Sequence, residues 1–333
     1  MKKKVIRYIL LLIIILAAFL AYSLLKVRFA PSVSVKRGDT TLIGHSRKLH
    51  RHVKQLTVEI GSRSIYEAAR LEAAKKYIVY CLKAFGYVPT LQTYTYNKKQ
   101  YSNVIASIKG AKLPDESVVI GAHYDTVYGT PGADDNASAV AVLLEIARAL
   151  KGSSPDRTLK LIFFVSEEAP VFRSEHMGSY VYAKEARANN ENIKSMISLE
   201  MLGYYTNEKD GQTFPFPMMS LFYPSTPNFI AVVGNLSSRN LVRKVKNSLR
   251  AGSLMPVETL TAFSFVPGVD LSDHRSFWKM GYPAVMITDT AFYRNPNYHT
   301  ETDTIDTLDF DKMSVVLKGL IQTAKDLTDS SMP

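Results

Sequence analysis

A polar segment between a buried strand and an apolar helix constrains this chain more than any other feature of its sequence. Residues 121–136 read G-A-H-Y-D-T-V-Y-G-T-P-G-A-D-D-N. They follow the apolar run 117–120 and precede residues 137–150, whose small apolar side chains predict a helix packed on a sheet. The segment holds one histidine and three aspartates: His123, Asp125, Asp134 and Asp135. Imidazole and carboxylate together suit zinc, so the segment predicts half of a metal site.

The rest of the pattern predicts an α/β fold. Predicted strands span residues 88–96, 103–108, 118–122, 158–165, 193–199, 229–235 and 282–289. Predicted helices span residues 65–85, 137–150, 178–189, 237–250 and 309–326. Strands that alternate with helices indicate a mostly parallel central sheet with helices on both faces. Around residues 204–227 the periodicity is lost and Tyr, Phe, Pro and Met accumulate, which predicts a lid-like insertion.

The N-terminal region predicts a membrane anchor. An uninterrupted apolar run at residues 8–25 follows the cationic start Lys2-Lys3-Lys4. A run of roughly 18 residues can cross the hydrocarbon core, and cations before it favour a cytoplasmic N-terminus with an exported domain. We therefore expect a signal anchor and transmembrane helix at 1–28, a linker at 29–50 and one folded domain at 51–333. The alternative is a signal peptide cleaved near A-Y-S (21–23), which would leave a secreted protein.

The net charge and the cysteine content limit which partners the chain can bind and which side chains can serve as metal ligands. The formal net charge is +11, and part of it lies in basic residues that flank the apolar run. Membrane topology and contact with anionic lipid explain that charge, so we expect no nucleic-acid partner. Cys81 is the single cysteine, which excludes an intrachain disulfide and a thiolate metal cluster. Any metal site must therefore use imidazole and carboxylate ligands.

Further candidate ligands follow three other predicted strands. These are Glu167 and Glu168, then Glu200, then His299. Sites in α/β sheets form outside the carboxyl ends of the strands, so we expect these residues to meet the segment around His123. Neighbouring glutamates leave a strand in different directions, so one can bind a metal while the other acts as a general base. The combined set predicts a site for two divalent metals.

The motifs around these residues resemble the secreted co-catalytic two-zinc aminopeptidases, the family of aminopeptidase Y and bacterial leucyl aminopeptidases. The matching segments are G-A-H-Y-D-T (121–126), G-A-D-D-N-A-S (132–138), S-E-E (166–168), S-L-E-M-L-G-Y-Y (198–205), S-D-H (272–274) and Y-H-T-E-T-D-T (298–304). Weaker matches are G-S-R (61–63) and N-V-I-A (103–106). Together they follow the family's order over about residues 60–325, and such an ordered set is far more specific than any single motif.

The resemblance implies a zinc exopeptidase catalytic domain at residues 51–333 that binds two zinc ions. It implies that His123 and Glu200 hold one ion, that Glu168 and His299 hold the other, and that Asp135 bridges them. Many family members carry Asp at the position of Glu200. The resemblance also implies a cis peptide bond after Asp135.

The resemblance assigns further roles beside the ligands. Glu167 would be the general base, Asp125 would fix the ring of His123, and Tyr298 would donate a hydrogen bond to the tetrahedral intermediate. We interpret Asp134 as a cap or turn acid. The roles of Asp273 and His274, functional or structural, stay open.

The resulting prediction is a membrane-anchored, exported metallo-aminopeptidase that acts on peptides. A glutaminyl cyclase on the same scaffold, which uses one zinc ion and an aromatic-rich pocket, is the second hypothesis. The complete ligand set and the single tryptophan, Trp278, favour the two-metal hydrolase. A carboxypeptidase or amidohydrolase of related fold is the third hypothesis, and a non-catalytic ectodomain is the fourth.

Overall fold

The computed structural model describes residues 40–331 and the isolated residues Lys4, Arg7, Tyr8 and Ile14. The predicted anchor at residues 8–25 therefore lies, apart from two positions, outside the described residues. Of the helices within the described part of the chain, none is long and apolar enough to cross a membrane.

A mixed eight-stranded sheet lies at the centre of the domain. Its strands are β1 (Thr90–Tyr96), β2 (Lys99–Ile108), β3 (Leu113–His123), β4 (Arg157–Phe164), β5 (Asn192–Glu200), β6 (Ile230–Asn235), β7 (Val257–Ala262) and β8 (Ala284–Thr288). Their spatial order is β1-β2-β4-β3-β5-β8-β6-β7. Strands β4, β3, β5 and β8 run parallel, as predicted.

The flanks of the sheet differ from the prediction of a mostly parallel sheet. Strand β2 is antiparallel to both β1 and β4, and β6 is antiparallel to β8. The β1–β2 pair is a hairpin in which Tyr96 pairs with Lys99. Asn97 and Lys98 between them both have positive φ angles, as a two-residue hairpin turn requires. Such a turn reverses the chain, so the second strand must be antiparallel.

Helices cover both faces of the sheet. They are α1 (Thr40–Lys54), α2 (Ala68–Ala84), α3 (Ala139–Leu150), α4 (Gly178–Ala188), α5 (Arg239–Gly252), α6 (His274–Lys279) and α7 (Phe310–Thr328). Short 3₁₀ or π turns span Gln55–Ile60, Ala133–Ser138, Pro217–Leu221, Leu236–Ser238, Ala291–Tyr293 and Ile305–Thr307. Helices α4 and α6 pack on one face, and the other five helices of residues 40–331 pack on the opposite face. The α/β prediction with two covered faces is confirmed.

Strand β4 shows why both faces need helices. Leu161 and Phe163 point into the core beneath α3 and α7, whereas Ile162 and Phe164 point into the second core beneath α4. All four side chains are fully buried. A continuous apolar run of this kind is typical of a strand buried on both faces.

The interpretation of residues 29–50 as a linker is wrong from residue 40 onward, because helix α1 begins at Thr40. Leu49 and Val53 of this helix are fully buried in the main core, and Leu42 packs against it. These apolar residues lie among basic ones, so the segment reads as polar while one face of it is apolar. The predicted lid-like insertion forms no strand, and its one regular element is the turn Pro217–Leu221.

Gly121 of β3 allows a direct test of how tightly the sheet packs. A methyl group at Gly121 would overlap the Phe164 ring and would lie 3.1 Å from the carbonyl oxygen of Ile162. We expect Gly121→Ala to lower the free energy of unfolding by roughly 1–3 kcal/mol. Gly44 in α1 has no atom within 4 Å of the equivalent position. Gly44→Ala should therefore stabilise by roughly 0.5–1 kcal/mol.

Urea denaturation in the presence of a chelator measures both variants without a contribution from bound metal. Equal stabilities for the two variants would contradict the packing described for β3.

Candidate metal centre

The carboxyl ends of the central strands bring the predicted ligands together. His123 and Glu200 are the last residues of β3 and β5. Glu168 lies just beyond β4, and His299 follows β8. Two sets of ligand atoms each lie within 4.8 Å of one another, and both sets include Asp135. One set adds His123 and Glu200, and the other adds Glu168 and His299.

The carboxylate of Asp135 lies between the two sets. Its Oδ1 is 3.3 Å from His123 Nε2, and its Oδ2 is 3.1 Å from His299 Nε2. Beyond these, His123 Nε2 lies 3.4 Å from Glu200 Oε2, and His299 Nε2 lies 3.3 Å from Glu168 Oε1. Ligands about 2.0–2.2 Å from a tetrahedral zinc ion are about 3.3–3.6 Å apart. The spacing therefore fits zinc ligands.

The electrostatics of the site also fit a cation. Oδ1 of Asp135 is buried and makes no hydrogen bond to any residue that the structure describes. Burial alone would raise the pKa of Asp135, but the imidazoles of His123 and His299 hold it below its usual value. Burial and the Asp135 carboxylate raise the pKa of Glu168 to about 7. Carboxylates gathered in a buried site need a positive charge, which a divalent metal would supply.

Glu167 is the buried acid that stands beside the two ligand sets. One of its carboxylate oxygens lies within 4.8 Å of ligand atoms of His123 and Glu168. Burial raises its pKa well above the usual value, and the neighbouring Glu168 and Glu200 add to that shift. Glu167 therefore lies close to the site but belongs to neither of the two ligand sets that include Asp135.

Asp125 supports both His123 and the glutamate pair. The ring Nδ1 of His123 is 3.1 Å from the backbone carbonyl oxygen of Asp125 and 3.7 Å from its Oδ1. The backbone carbonyl therefore accepts the hydrogen bond that fixes the ring. The carboxylate accepts hydrogen bonds from the N–H groups of Glu167 and Glu168, each at 3.1 Å. Asp125 thus orients one imidazole and the turn that carries both glutamates.

Asp134 links two distant segments, and the interpretation of it as a cap or turn acid is wrong. Its buried carboxylate accepts hydrogen bonds from the N–H of Gly203 at 2.8 Å and from the amide of Asn295 at 2.7 Å. Gly203 follows Glu200, and Asn295 precedes His299. The acid therefore ties one segment from each ligand set to the loop that carries Asp135.

Asp303 is a positioning residue that the sequence reasoning missed. Its Oδ1 accepts from the N–H of Asp134 at 2.9 Å, and its Oδ2 accepts from the N–H of Asp135 at 3.1 Å. Its backbone carbonyl accepts from the N–H of Ala133 at 3.1 Å. Asp303 thereby fixes the backbone of three successive residues, 133–135. The available signal was its place in the motif Y-H-T-E-T-D-T, where only the tyrosine and the histidine received roles.

Arg63 fixes the loop between β3 and Asp135 from the other side. Its side chain is fully buried. The guanidinium donates to the carbonyl oxygens of Leu56, Gly61, Tyr124, Pro131 and Gly132. Burial lowers its pKa to about 10, so it remains charged at neutral pH. The weak match at residues 61–63 was the only signal for it.

Glu200 is positioned by hydrogen bonds to the backbone of the residues on either side of it and by one hydrogen bond to its own side chain. The peptide bond between Asp135 and Asn136 is cis, as the resemblance implies. The Asn136 amide donates to the carbonyl of Leu199 and accepts from the N–H of Met201, both at 3.0 Å. The hydroxyl of Ser272 donates to Glu200 Oε2 at 2.6 Å. The S-D-H motif thus contributes a positioning contact.

The two other residues of the S-D-H motif, Asp273 and His274, are fully buried. The Nε2–H of His274 donates to the carbonyl of Val269 at 2.7 Å, and its ring packs edge-on against Trp278 at 4.5 Å between centroids. His274 is therefore structural. Burial raises the pKa of Asp273 to about 7.

A pocket of about 100 Å³ adjoins the ligand sets, and Glu200 and Tyr298 line it. Tyr298 stacks on His299 with 3.7 Å between ring centroids. Phe214 and Met219 of the lid-like insertion also line it. The insertion therefore shapes the space next to the candidate metal centre.

The fold and the site define an α/β domain whose buried carboxylates and imidazoles could hold metal ions. Residues 103–324 match the model of Peptidase family M28. The chain therefore belongs to Peptidase family M28, and the predicted resemblance to this class of metallopeptidases is confirmed.

Two curated proteins are similar in sequence to the chain. The uncharacterized protein YfbL of Escherichia coli K12 is 38% identical over 329 residues, which cover 96% of this chain and 98% of that protein. Leucine aminopeptidase 1 of Metarhizium robertsii is 27% identical over 238 residues, which cover 67% of this chain and 54% of that protein. The matched region spans about half the length of that aminopeptidase.

Solved structures show the same fold. LapA of Legionella pneumophila is 20% identical with a TM-score of 0.69, covering 91% of this chain and 79% of LapA. A glutaminyl cyclase of Bacteroides thetaiotaomicron is also 20% identical, with a TM-score of 0.64, covering 84% of this chain and 97% of the cyclase. LapA is an aminopeptidase by its printed name, so this fold occurs in proteins with different activities. The residues of the site, rather than the fold, must therefore distinguish between the two activities.

The contacts of Asp303 predict an effect on metal binding. In Asp303→Asn an amide group replaces one of the two oxygens that accept from Asp134 and Asp135. We expect zinc affinity to fall by about 10- to 100-fold, because residues that orient ligands have effects of this size. Asp306→Asn is the matched control, because Asp306 is an exposed acid three residues further along the chain. Competition with a chromogenic chelator measures both affinities; equal affinities would refute the positioning role.

Proposed function

We propose that the protein is a two-zinc aminopeptidase that releases N-terminal residues from peptides. The observation that carries the proposal is the Asp135 carboxylate, each oxygen of which faces one imidazole, at 3.3 and 3.1 Å. His123 and Glu200 would hold one zinc ion, Glu168 and His299 would hold the other, and Asp135 would be shared between them. Zinc bound there would act as a Lewis acid that polarises the scissile carbonyl.

Glu167 supplies the general base in this proposal. Its carboxylate lies beside both ligand sets, and its backbone is held by Asp125. It takes a proton from the attacking water and returns it to the leaving amine. Burial raises the pKa of Glu167 above its usual value, and a general base works best when its pKa lies near the working pH.

Tyr298 and the adjoining pocket place the substrate. The tyrosine lies at the boundary between the ligand sets and the pocket, because it stacks on His299 and lines the pocket. From there its hydroxyl donates a hydrogen bond to the carbonyl oxygen as negative charge develops on it. The pocket receives the side chain of the N-terminal residue. The name of the fungal relative, a leucine aminopeptidase, agrees with cleavage at the N-terminus.

Glutaminyl cyclase activity is the second candidate, because a glutaminyl cyclase shares the fold. The His123–Asp135–Glu200 set favours the hydrolase, since a cyclase on this scaffold is expected to use one zinc ion. The two activities are separated by their products: hydrolysis releases a free N-terminal residue, whereas cyclisation releases ammonia and keeps the chain length.

Removal of the general base gives the direct test of the mechanism. We expect Glu167→Ala to keep about two zinc ions per chain and to lose at least about 10²-fold in kcat, because general-base catalysis contributes on the order of 10²–10⁴. The assay uses a panel of aminoacyl p-nitroanilides and glutaminyl peptides, with and without chelator. Glu175→Ala, an exposed acid in a surface ion pair with Lys184, is the control and should keep full activity.

Full activity in Glu167→Ala, or a wild-type protein that binds no zinc, would refute the mechanism. Cyclisation of glutaminyl peptides without hydrolysis of any substrate would select the second candidate.

We also propose that residues 8–25 anchor the protein in the cell membrane, with the catalytic domain on the extracytoplasmic side. The sequence supports this with an apolar run that follows Lys2, Lys3, Lys4 and Arg7. Cleavage of the segment would instead give a secreted enzyme.

Cell fractionation tests the anchor. We expect the full chain in the membrane fraction, where protease added to cells with a permeabilised envelope digests the domain. Deletion of residues 1–28 should move the protein to the soluble fraction, because it removes the apolar run. Replacement of the three N-terminal lysines by glutamate should weaken the orientation but keep membrane association. A full-length chain in the soluble cytoplasmic fraction would contradict the proposal.

A further inference from the structure

Helices α1 and α5 hold the excess positive charge of the folded domain. They contain four and five lysines and arginines, respectively, and neither helix contains an aspartate or a glutamate. The remainder of residues 40–333 contains 24 Lys+Arg and 29 Asp+Glu. The two helices therefore contribute a charge of +9, whereas the rest of the domain contributes −5. Such a separation of charge orients a domain in the electric field of an anionic partner.

The two helices lie on the same side of the domain, because helix α7 packs against both of them. A Cβ atom added at Gly252 of α5 would lie 3.1 Å from the Cα of Gly319 of α7. The rings of His50 of α1 and Phe310 of α7 are 5.0 Å apart between centroids. Packed helices are about 8–10 Å apart, so α1 and α5 lie within about 20 Å of each other. The three helices therefore form one continuous surface.

The basic side chains of this surface face solvent. The buried residues of α1, α5 and α7 pack into the main core, and the exposed residues lie on the other side of each helix. The exposed basic residues, which we call the basic face, are Arg47, Arg51, Lys54, Arg239, Arg243, Lys244, Arg250, Lys318 and Lys325. Among the described residues of the three helices, Asp311 is the one exposed acid.

Most of the basic face has no ion pair inside the protein. Lys54 lies 3.9 Å from a carboxylate oxygen of Glu59. The other eight members form no ion pair with any residue of the part of the chain that the structure describes. Positive charges that no neighbouring carboxylate neutralises attract an external anionic surface.

The sequence leads to this surface from the segment that we propose to lie in the membrane. Helix α1 begins at Thr40, and the 14 residues between it and the apolar run 8–25 include four basic residues and one acid. A link of 14 residues spans at most about 50 Å, so it would keep the domain close to the bilayer. Anionic headgroups attract each Lys or Arg that lies near the bilayer surface.

The pocket beside the candidate metal centre lies away from the basic face. Among the described residues that line the pocket, none belongs to α1, α5 or α7. A bilayer that covers the basic face would therefore leave the entrance for peptides open.

We propose that the basic face binds the anionic lipid surface of a bilayer and fixes the orientation of the folded domain on the membrane. Residues of the folded domain itself make this contact, from helices far apart in the sequence. The contact does not depend on the proposed aminopeptidase activity. It uses the proposed anchor only to explain why a bilayer is nearby.

Lysine labelling of the full-length chain tests the contact. The chain is reconstituted with vesicles of phosphatidylglycerol or of phosphatidylcholine and acetylated with a water-soluble reagent, and mass spectrometry quantifies each lysine. We expect the ratio of Lys318 to Lys184 labelling to fall by at least about threefold in the anionic vesicles. Lys184 lies in α4, on the opposite face of the sheet, and serves as the internal standard. Salt at 1 M should remove the difference, because it shortens the Debye length to about 3 Å.

Two variants with equal loss of charge separate the basic face from net charge. The test variant removes three charges of the basic face: Arg47→Gln, Arg243→Gln and Lys244→Gln. The control variant removes three exposed charges of α4 and α6 on the opposite face: Lys184→Gln, Arg187→Gln and Lys279→Gln. Lys318 is unchanged in both variants. We expect its protection by anionic vesicles, relative to neutral ones, to be lost in the test variant and kept in the control variant.

Equal labelling of Lys318 in the two lipids would overturn the proposal, and this comparison needs only the wild-type chain. Equal protection in the two variants would assign the effect to net charge and overturn the role of the basic face. A DNA duplex that protects Lys318 more strongly than the anionic vesicles would assign the face to nucleic acid instead. None of these measurements uses peptide hydrolysis, so failure of the proposed activity would leave their outcome unchanged.

Discussion

The position of one carboxylate, that of Asp135, determines how the two histidines can act together. His123 and His299 are 176 positions apart in the sequence (299 − 123), and the Nε2 atom of each faces a different oxygen of Asp135. That geometry depends on the backbone of Asp135, whose N–H is held by Asp303. It depends equally on the loop before it, where the Arg63 side chain donates to the carbonyl oxygens of three residues, Tyr124, Pro131 and Gly132. A metal centre at Asp135 would therefore depend on residues that do not themselves bind the metal.

The sheet explains why the ligands meet where they do. The parallel strands β4, β3, β5 and β8 end at one edge, and polar residues follow each end. The antiparallel strand β6 and its neighbour β7 then extend the sheet sideways beyond β8. Residues of β6, β7 and the lid-like insertion together line the pocket beside the candidate ligands. The central strands thus position the chemistry, and the added strands form the pocket that the substrate side chain would enter.

The central strands and the meeting of the candidate ligands at their ends were predictable because both leave local patterns. A buried strand is a continuous apolar run, and the acids at its end fall in recognisable motifs. The positions of Asp303 and Arg63 were not predictable in this way. Asp303 contacts the backbone N–H of a residue 168 positions away in the chain, and backbone atoms carry no sequence signature. Helix α1 was missed because basic residues surround the apolar side chains of Leu49 and Val53. The orientation of β6 was missed because a strand reads the same in either direction.

Anomalous diffraction at the zinc edge from crystals of the zinc-loaded protein tests the central claim most directly. We predict two peaks about 3.5–4 Å apart, one beside His123 and one beside His299, with Asp135 in contact with both. A single peak, or peaks that do not contact Asp135, would contradict the account.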